Sequence, residues 1–286
     1  MLHFPPKKIL IPFDFSDQSM VAWRHAYDWS RRFKCALELL YVENLLPTAG
    51  VAGWEYSAIR LTAAKKKEIL AHLRSKLGSL PEVHVVEGDP VVTILRLART
   101  RRPDLIVMGT HGRSGMERLW RGSVSEAVVR RSPVPVLIAR ENPKPVVDVL
   151  APVNFMPYSE YGLAFAANVA VALHAGLTAF HATTDPRKCP NPIFRLSRLI
   201  DRLPPALGEI AKPKAAEGKE PTKAILAEAA KHGLVVLVAH RKSLKELIVG
   251  TTAERILRDS LTPVLTIPSP KRELALEKRF RGTAVA

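Results

Sequence analysis

The chain has 286 residues, about twice a typical domain, so two globular domains are the first expectation. Hydrophobic residues at 47% and charged residues at 24% match an ordinary folded protein and exclude a disordered or fibrous one. The net charge of +16 invites a nucleic-acid surface, but it is spread evenly, with 22 basic against 14 acidic residues up to Asn142 and 21 against 13 after it.

Lys7 to Phe13 reads as a short apolar strand, and Gln18 to Phe33 has helical spacing with Ser16 or Asp17 as its N-cap. A strand over Ala36 to Val42 follows, then a loop over Pro47 to Gly53 and a helix over Glu55 to Leu77 that stops at Gly78. Next come a strand at Val83 to Val86, a helix at Pro90 to Thr100, a strand at Asp104 to Met108, a glycine-rich loop, a helix at Ser123 to Arg131 and a strand at Val134 to Ala139. Strands alternating with helices predict a parallel sheet wound on both faces, with ligands at the carboxyl ends of its strands.

The second half repeats this plan. Val147 to Pro152 matches Lys8 to Pro12, and Pro263 to Ile267 matches Pro135 to Ala139. Gly250 lies as far before its Pro-Val-Leu strand as Gly122 does, so an internal duplication is expected, with domains at 1–142 and 143–286. Asp185 to Pro221, rich in proline and lysine, is expected to hold only a short helix near Phe194 to Leu203, which abbreviates the second copy. Tyr161 to Phe180 is nearly uncharged and almost long enough to span a bilayer. Asn168, His174 and Gly176 interrupt it, and a buried helix over Tyr158 to His174 running into a strand from Gly176 to His181 is the expected structure.

Only Cys35 and Cys189 occur, too few for a disulfide framework and without zinc-ligand spacing, so no metal site is expected. Met1 to Pro12 lacks the pattern of a signal peptide, and a cytoplasmic location follows as an expectation. The clusters at Lys65 to Lys67, Arg99 to Arg102 and Lys278 to Arg281 have no interleaved aromatic residues for base stacking. They read as solvated faces, and nucleic acid is not the expected partner.

One pattern stands out: Gly109-x2-Gly112-x9-Gly122-Ser123, directly after the apolar run Leu105 to Met108. Free N–H groups at a helix start, the positive end of its dipole and glycines that admit a ligand close to the backbone together suit a phosphate. Taken singly, Gly122 reads as a tight turn, Gly112 as a flexible loop, His111 as a capping residue and Asp14 as a helix cap with Ser16.

Pro12-Phe13-Asp14-Phe15-Ser16, Leu40-Tyr41-Val42, Met108 to Arg113, Gly122-Ser123-Val124-Ser125 and Pro133 to Leu137 together resemble the universal stress protein family in its tandem-domain form. The resemblance is strong over residues 5 to 140 and weaker over 146 to 268. It implies two five-stranded, doubly wound, Rossmann-like α/β domains, the first binding ATP or a related adenine nucleotide, with Mg2+ as an accompanying ion. It further implies that Asp14 and the Val42 backbone face the adenine while Pro12 and Met108 line the pocket. Gly109 and His111 would lie near the ribose and phosphates, and Gly112, Gly122, Ser123, Val124 and Ser125 would hold the phosphate chain. Arg113 reads either as screening phosphate charge at that site or as a surface residue.

The second copy departs from the pattern. Asn154 stands in place of Asp14 and Ala239 in place of Gly109, and the loop His240 to Val249 is two residues shorter and lacks the second glycine, although Gly250-Thr251-Thr252 survives. That half is expected to be a degenerate partner with a structural or regulatory role. The overall expectation is a non-catalytic, nucleotide-responsive stress protein whose two domains pair within the chain, with a homodimer also open. A weak ATPase using His111 is the alternative, and a basic nucleic-acid-associated protein is a second.

Overall fold

The structure is a computed structural model that describes residues 4–43, 61–110, 124–141, 144–185, 187, 189–218, 220–239 and 251–268. The chain divides into two compact units, Pro6–Pro133 and Met1–Pro5 together with Val134–Ala286.

The N-terminal unit runs β1 (Lys8–Pro12), α1 (Asp17–Phe33), β2 (Ala36–Glu43), α2 (Ala63–Leu77), β3 (Glu82–Glu87), α3 (Pro90–Thr100), β4 (Leu105–Met108) and α4 (Val124–Arg131). Its strands lie in the order β3-β2-β1-β4, all parallel. Ile9, Leu10 and Ile11 are all fully buried, which is why β1 is continuously apolar and does not alternate: helices cover both faces of a parallel sheet. Helix α1 starts where Ser16, in extended backbone, accepts a 3.2 Å hydrogen bond from the Ser19 amide. It buries Val21, Ala22, Ala26 and Trp29 against the sheet. Helix α3 begins with Pro90 behind the capping Asp89, whose side chain accepts from the Val92 amide at 2.8 Å. Helix α2 begins at Ala63 and not at Glu55, because Thr62, in extended backbone, caps it there by accepting from the Lys65 amide, and it stops at Gly78; residues 55–60 and the expected loop over 47–53 lie outside the described residues.

At the amino end of these strands, Glu38 of β2 has only 3% of its side chain exposed and is met by Lys8 Nζ at 3.1 Å and by Arg101. Burial pushes the Glu38 carboxyl up, but hydrogen bonds from Arg101 and Lys8 outweigh it and hold the group below the usual range. A depressed carboxylate stabilises the fold above its unfolded value, near pH 4.3, and loses that contribution as pH falls through its folded value. Glu38→Gln is expected to cost about 2 kcal/mol at neutral pH, with the difference from wild type shrinking in acid, as read by urea denaturation across pH.

The C-terminal unit runs β5 (Val136–Ile138), β6 (Asp148–Pro152), α5 (Ser159–Ala172), β7 (Gly176–Thr183), α6 (Pro192–Ile200), α7 (Pro205–Gly208), β8 (Ala211–Glu217), α8 (Pro221–Ala229), β9 (Leu234–Ala239), α9 (Thr251–Asp259) and β10 (Val264–Pro268). Its strand order is β5-β10-β9-β6-β7-β8, parallel throughout except for the antiparallel pair β5 and β10. Strand β5, expected as the fifth strand of the first copy, pairs here with β10, Val136 to Ile138 against Thr266 to Val264, and Thr266 Oγ1 donates to the Val136 carbonyl at 3.1 Å. One feature of this unit differs from the sequence expectation. The stretch from Asp185 to Pro221 holds α7 and β8 besides the expected helix, so the abbreviation falls on helix length: α6 has 9 residues where α2 has 15.

The two copies share backbone geometry as well as order. Phe15 (φ 64°) and Phe155 (φ 57°) take the same left-handed conformation after β1 and β6, and Lys34 (φ 53°) and His174 (φ 51°) do so after α1 and α5. Among the described residues no helix is long and apolar enough to cross a membrane.

Candidate functional site

In the N-terminal unit the chain passes from β1 to β2 and β3 on one side, then returns to place β4 on the other, so the strand order reverses between β1 and β4. The carboxyl ends of two strands at such a reversal leave a crevice, because the connections that follow them diverge to opposite faces of the sheet. The register Leu10↔Ile106 brings Pro12 level with Met108, and Pro12↔Leu40 brings Asp14 level with Val42. Pro12, Asp14, Val42 and Met108 therefore gather at one edge of the sheet. Met108 is buried, and Pro12, Asp14 and Val42 are half-buried.

Asp14 is also part of the turn into α1. Its Oδ1 accepts from the Ser16 amide at 3.1 Å and from Ser16 Oγ at 2.5 Å, which orients the residue that caps α1. Gly109 follows β4 against the first turn of α1. A Cβ built on it would sit 2.4 Å from the Gln18 carbonyl oxygen and 2.6 Å from its carbon, so the helix itself requires a glycine here. Beyond it, Thr110 Oγ1 donates to Gln18 Oε1 at 3.1 Å, and Ser125 Oγ of α4 donates to the Thr110 carbonyl at 3.0 Å. Gln18, Thr110 and Ser125 thus tie α1, the end of β4 and α4 together around the crevice. The sequence reading missed Gln18 and Thr110, since nothing in their local pattern marks them, and it gave Ser125 no structural task. Val124, the first residue of α4, is 37% exposed at the helix start. His111, Gly112, Arg113, Gly122 and Ser123 lie outside the described residues.

The corresponding edge of the C-terminal unit, where the order reverses between β6 and β9, is built differently. Asn154 stands in the place of Asp14, with its Nδ2 donating to the Tyr158 hydroxyl at 2.8 Å and its Oδ1 accepting from Ser159 Oγ at 3.0 Å. The small residue has changed sides as well. Here Gly162 of α5 admits Val238 of β9, whose Cγ2 would lie 2.5 Å from an added Cβ.

Two charged clusters lie at the opposite, amino edges of the strands. Glu38, Glu82 and His84 offer ligand atoms close enough to hold one cation. Lys8 and Arg101 already supply the positive charge there, Arg101 reaching both glutamates, so the cluster is a salt-bridge network. In the C-terminal unit His232 Nε2 lies 3.0 Å from Asp148, its Nδ1 lies 2.8 Å from the Glu228 carbonyl, and Thr178 Oγ1 donates to Asp148 at 2.7 Å.

Fold and crevice together define a doubly wound, Rossmann-like α/β protein built as two copies of one plan. The universal stress protein family model matches residues 5–140 and 148–268, and the chain belongs to that family as a tandem-domain member. It is similar to universal stress protein MJ0531 of Methanocaldococcus jannaschii, 33% identical over 144 residues that cover 48% of this chain and 84% of that one. Universal stress protein YxiE of Bacillus subtilis is 32% identical over 145 residues, covering 46% of this chain and 98% of its own. A solved universal stress protein from Archaeoglobus fulgidus superposes with a TM-score of 0.71 at 25% identity, covering 93% of this chain and 97% of that one. A Pseudomonas aeruginosa structure with a TM-score of 0.66 covers 96% and 98%, and at 17% identity it shows the fold alone.

Proposed function

We propose that residues 1–142 form a nucleotide-binding domain taking ATP or a related adenine nucleotide, and that residues 143–286 form a degenerate partner without a second site. The protein then acts as a nucleotide-responsive stress regulator in the cytoplasm, with occupancy governing partner binding and no turnover required. The observation that carries this reading is the start of the Gly109-x2-Gly112-x9-Gly122-Ser123 pattern at the carboxyl end of β4, beside β1, where the strand order reverses. The described walls fit an adenine: Pro12 and Met108 offer apolar edges, and Asp14 and the Val42 backbone offer polar groups at one level of the sheet. Gly112, Gly122, Ser123 and Val124 would hold the phosphates, Ser125 would brace them through Thr110, and His111 and Arg113 would flank them. Mg2+, when bound, would neutralise phosphate charge. Among the described site residues only Asp14 carries a carboxylate, and it is engaged with Ser16, so such an ion would be held mainly by phosphate oxygens.

Micromolar affinity needs about 8 kcal/mol, within reach of four or five charge-assisted hydrogen bonds at about 1.5 to 3 kcal/mol each, together with adenine burial. Equilibrium dialysis with labelled ATP should find one site per chain, abolished by Gly122→Val, whose branched side chain would stand against the phosphates. Two equivalent sites would contradict a degenerate second copy. Multiple-turnover phosphate release that vanishes in His111→Ala would replace the regulator with an ATPase.

A further inference from the structure

The sequence of α6, Pro-Ile-Phe-Arg-Leu-Ser-Arg-Leu-Ile, buries Leu196 and Ile200 and leaves Phe194 65% exposed. Arg195 and Arg198 fall at i and i+3 on one face of the helix. That face looks across a cavity of about 310 Å³ at the turn that follows β6 and at the start of α5, and Arg202, in the turn that follows α6, lines the same cavity.

The far wall presents Phe155, Met156 and Pro157 beside Ser159 and Glu160. Phe155, held in left-handed backbone, packs its ring 4.5 Å from the buried His181 ring, and the Arg195 guanidinium lies 4.1 Å from the Phe155 centroid. Met156 beside it is 43% exposed. Charge across the cavity is unbalanced. Glu160 is the one acid among the lining residues and pairs with Arg202 at 3.2 Å. Arg195 meets the Cys189 sulfur and the Phe155 ring, and Arg198 makes no hydrogen bond or ion pair with any described residue.

We propose that this groove binds a small organic monoanion with an aromatic body, an aryl carboxylate in chemical class. The carboxylate lies on the guanidinium groups of Arg195 and Arg198, where planar bidentate pairing is available. The ring lies between Phe194 and Met156, with an arene contact on one side and a polarizable thioether on the other, and meets Phe155 only at its edge, since His181 and Arg195 pack against that ring. Three arginines against one glutamate leave two positive charges, and Glu160 sets an upper limit by repelling a second anionic group at that end. A neutral arene forfeits the guanidinium contacts, while an inorganic anion forfeits the apolar contacts. The site uses no residue of the N-terminal crevice and stands or falls independently of nucleotide binding there.

The test uses the full chain with 13C-methyl methionine, whose five methyl signals include Met156, assigned by its disappearance in Met156→Leu. Titration with 2-naphthoate should shift the Met156 signal saturably and leave Met108 unmoved. The neutral isostere 2-naphthamide should bind about tenfold more weakly, the difference expected for charge-assisted hydrogen bonds. Arg198→Glu, at an exposed position, should abolish the shift while the other methyl signals keep their places, and Arg198→Lys should retain part of it. Equal binding of acid and amide, a Met156 signal unmoved up to the solubility of the naphthoate, or full binding by Arg198→Glu would each overturn the proposal.

Discussion

Gly109→Ala is expected to destabilise the N-terminal unit by about 3 kcal/mol, the upper part of the range for overpacking. The added carbon meets the carbonyl oxygen and carbon of Gln18 at 2.4 and 2.6 Å, which are backbone atoms with no rotamer to escape into. Relief requires the first turn of α1 to move off β4, and that turn is pinned by the Ser16 cap and by the Gln18 to Thr110 hydrogen bond. Gly162→Ala is the matched control. Its clash at 2.5 Å is with one side-chain methyl of Val238, which can turn, so about 1 kcal/mol is expected. All four tryptophans, Trp23, Trp29, Trp54 and Trp120, lie in the sequence before Pro133, so tryptophan fluorescence in urea reads Gly109→Ala, while hydrogen exchange of α5 and β9 reads Gly162→Ala in the other unit. A Gly109→Ala midpoint equal to wild type would mean that this glycine serves something other than helix packing. The first glycine of the loop pattern is thereby accounted for by α1, leaving Gly112 and Gly122 as the positions where a phosphate would demand the absence of a side chain.

Asp148→Ala is expected to cost the C-terminal unit about 2 kcal/mol near pH 6, the scale of a charge-assisted hydrogen bond between the buried His232 and a carboxylate that is 32% exposed. Both ring nitrogens of His232 face acceptors, Asp148 and the Glu228 carbonyl, an arrangement only the doubly protonated ring satisfies. Burial pushes the His232 pKa down, but the hydrogen bonds to Asp148 and to the Glu228 carbonyl prevail and raise it. For Asp148 burial pushes upward, and the hydrogen bonds from His232 and Thr178 bring it below its ordinary value. The raised histidine contributes stability that is complete below its unfolded pKa of about 6.5 and fades as pH rises through the folded value; the depressed aspartate contributes above about 3.9 and fades as pH falls through its own. The pair therefore stabilises most between about pH 4 and about pH 6.5. Hydrogen exchange of β6 and β9 in wild type and Asp148→Ala should show a gap that narrows as pH rises above about 6.5. A gap unchanged across that range would show that the imidazole is neutral in the folded chain.

Much of the fold was legible because each signal was local. The continuous apolar run of β1, the cap at Ser16 and the stop at Gly78 depend on neighbouring residues, and Pro90–Thr100 is found at both of its expected ends. Strand β8 was not legible: Ala-Lys-Pro-Lys-Ala-Ala-Glu contains no β-branched or aromatic residue, and only pairing with β7, from Leu177↔Ala211 to Thr183↔Glu217, makes it a strand. Pro213 is tolerated there because β8 lies at the end of the strand order, and its lysines discourage further pairing. At the candidate site the strand-end residues were readable from the pattern. The stitching through Gln18, Thr110 and Ser125 was not, since it joins groups 92 and 15 positions apart through single hydrogen bonds. The charged networks escaped for the same reason: Glu38 finds Arg101, and Asp148 finds His232, only once the strands are aligned.

The left-handed residues that recur after β1 and β6, and again after α1 and α5, bear on how the halves have diverged. None of Phe15, Phe155, Lys34 and His174 is a glycine, and each conformation costs on the order of 1 to 3 kcal/mol unless its surroundings enforce it. Phenylalanine has been kept at one bend while lysine and histidine trade places at the other, so what passed intact through the duplication is the direction of the chain entering and leaving the helix. The segment between those bends is in effect an exchangeable cartridge with a standard socket at either end, free to change its side chains while its mounting stays the same.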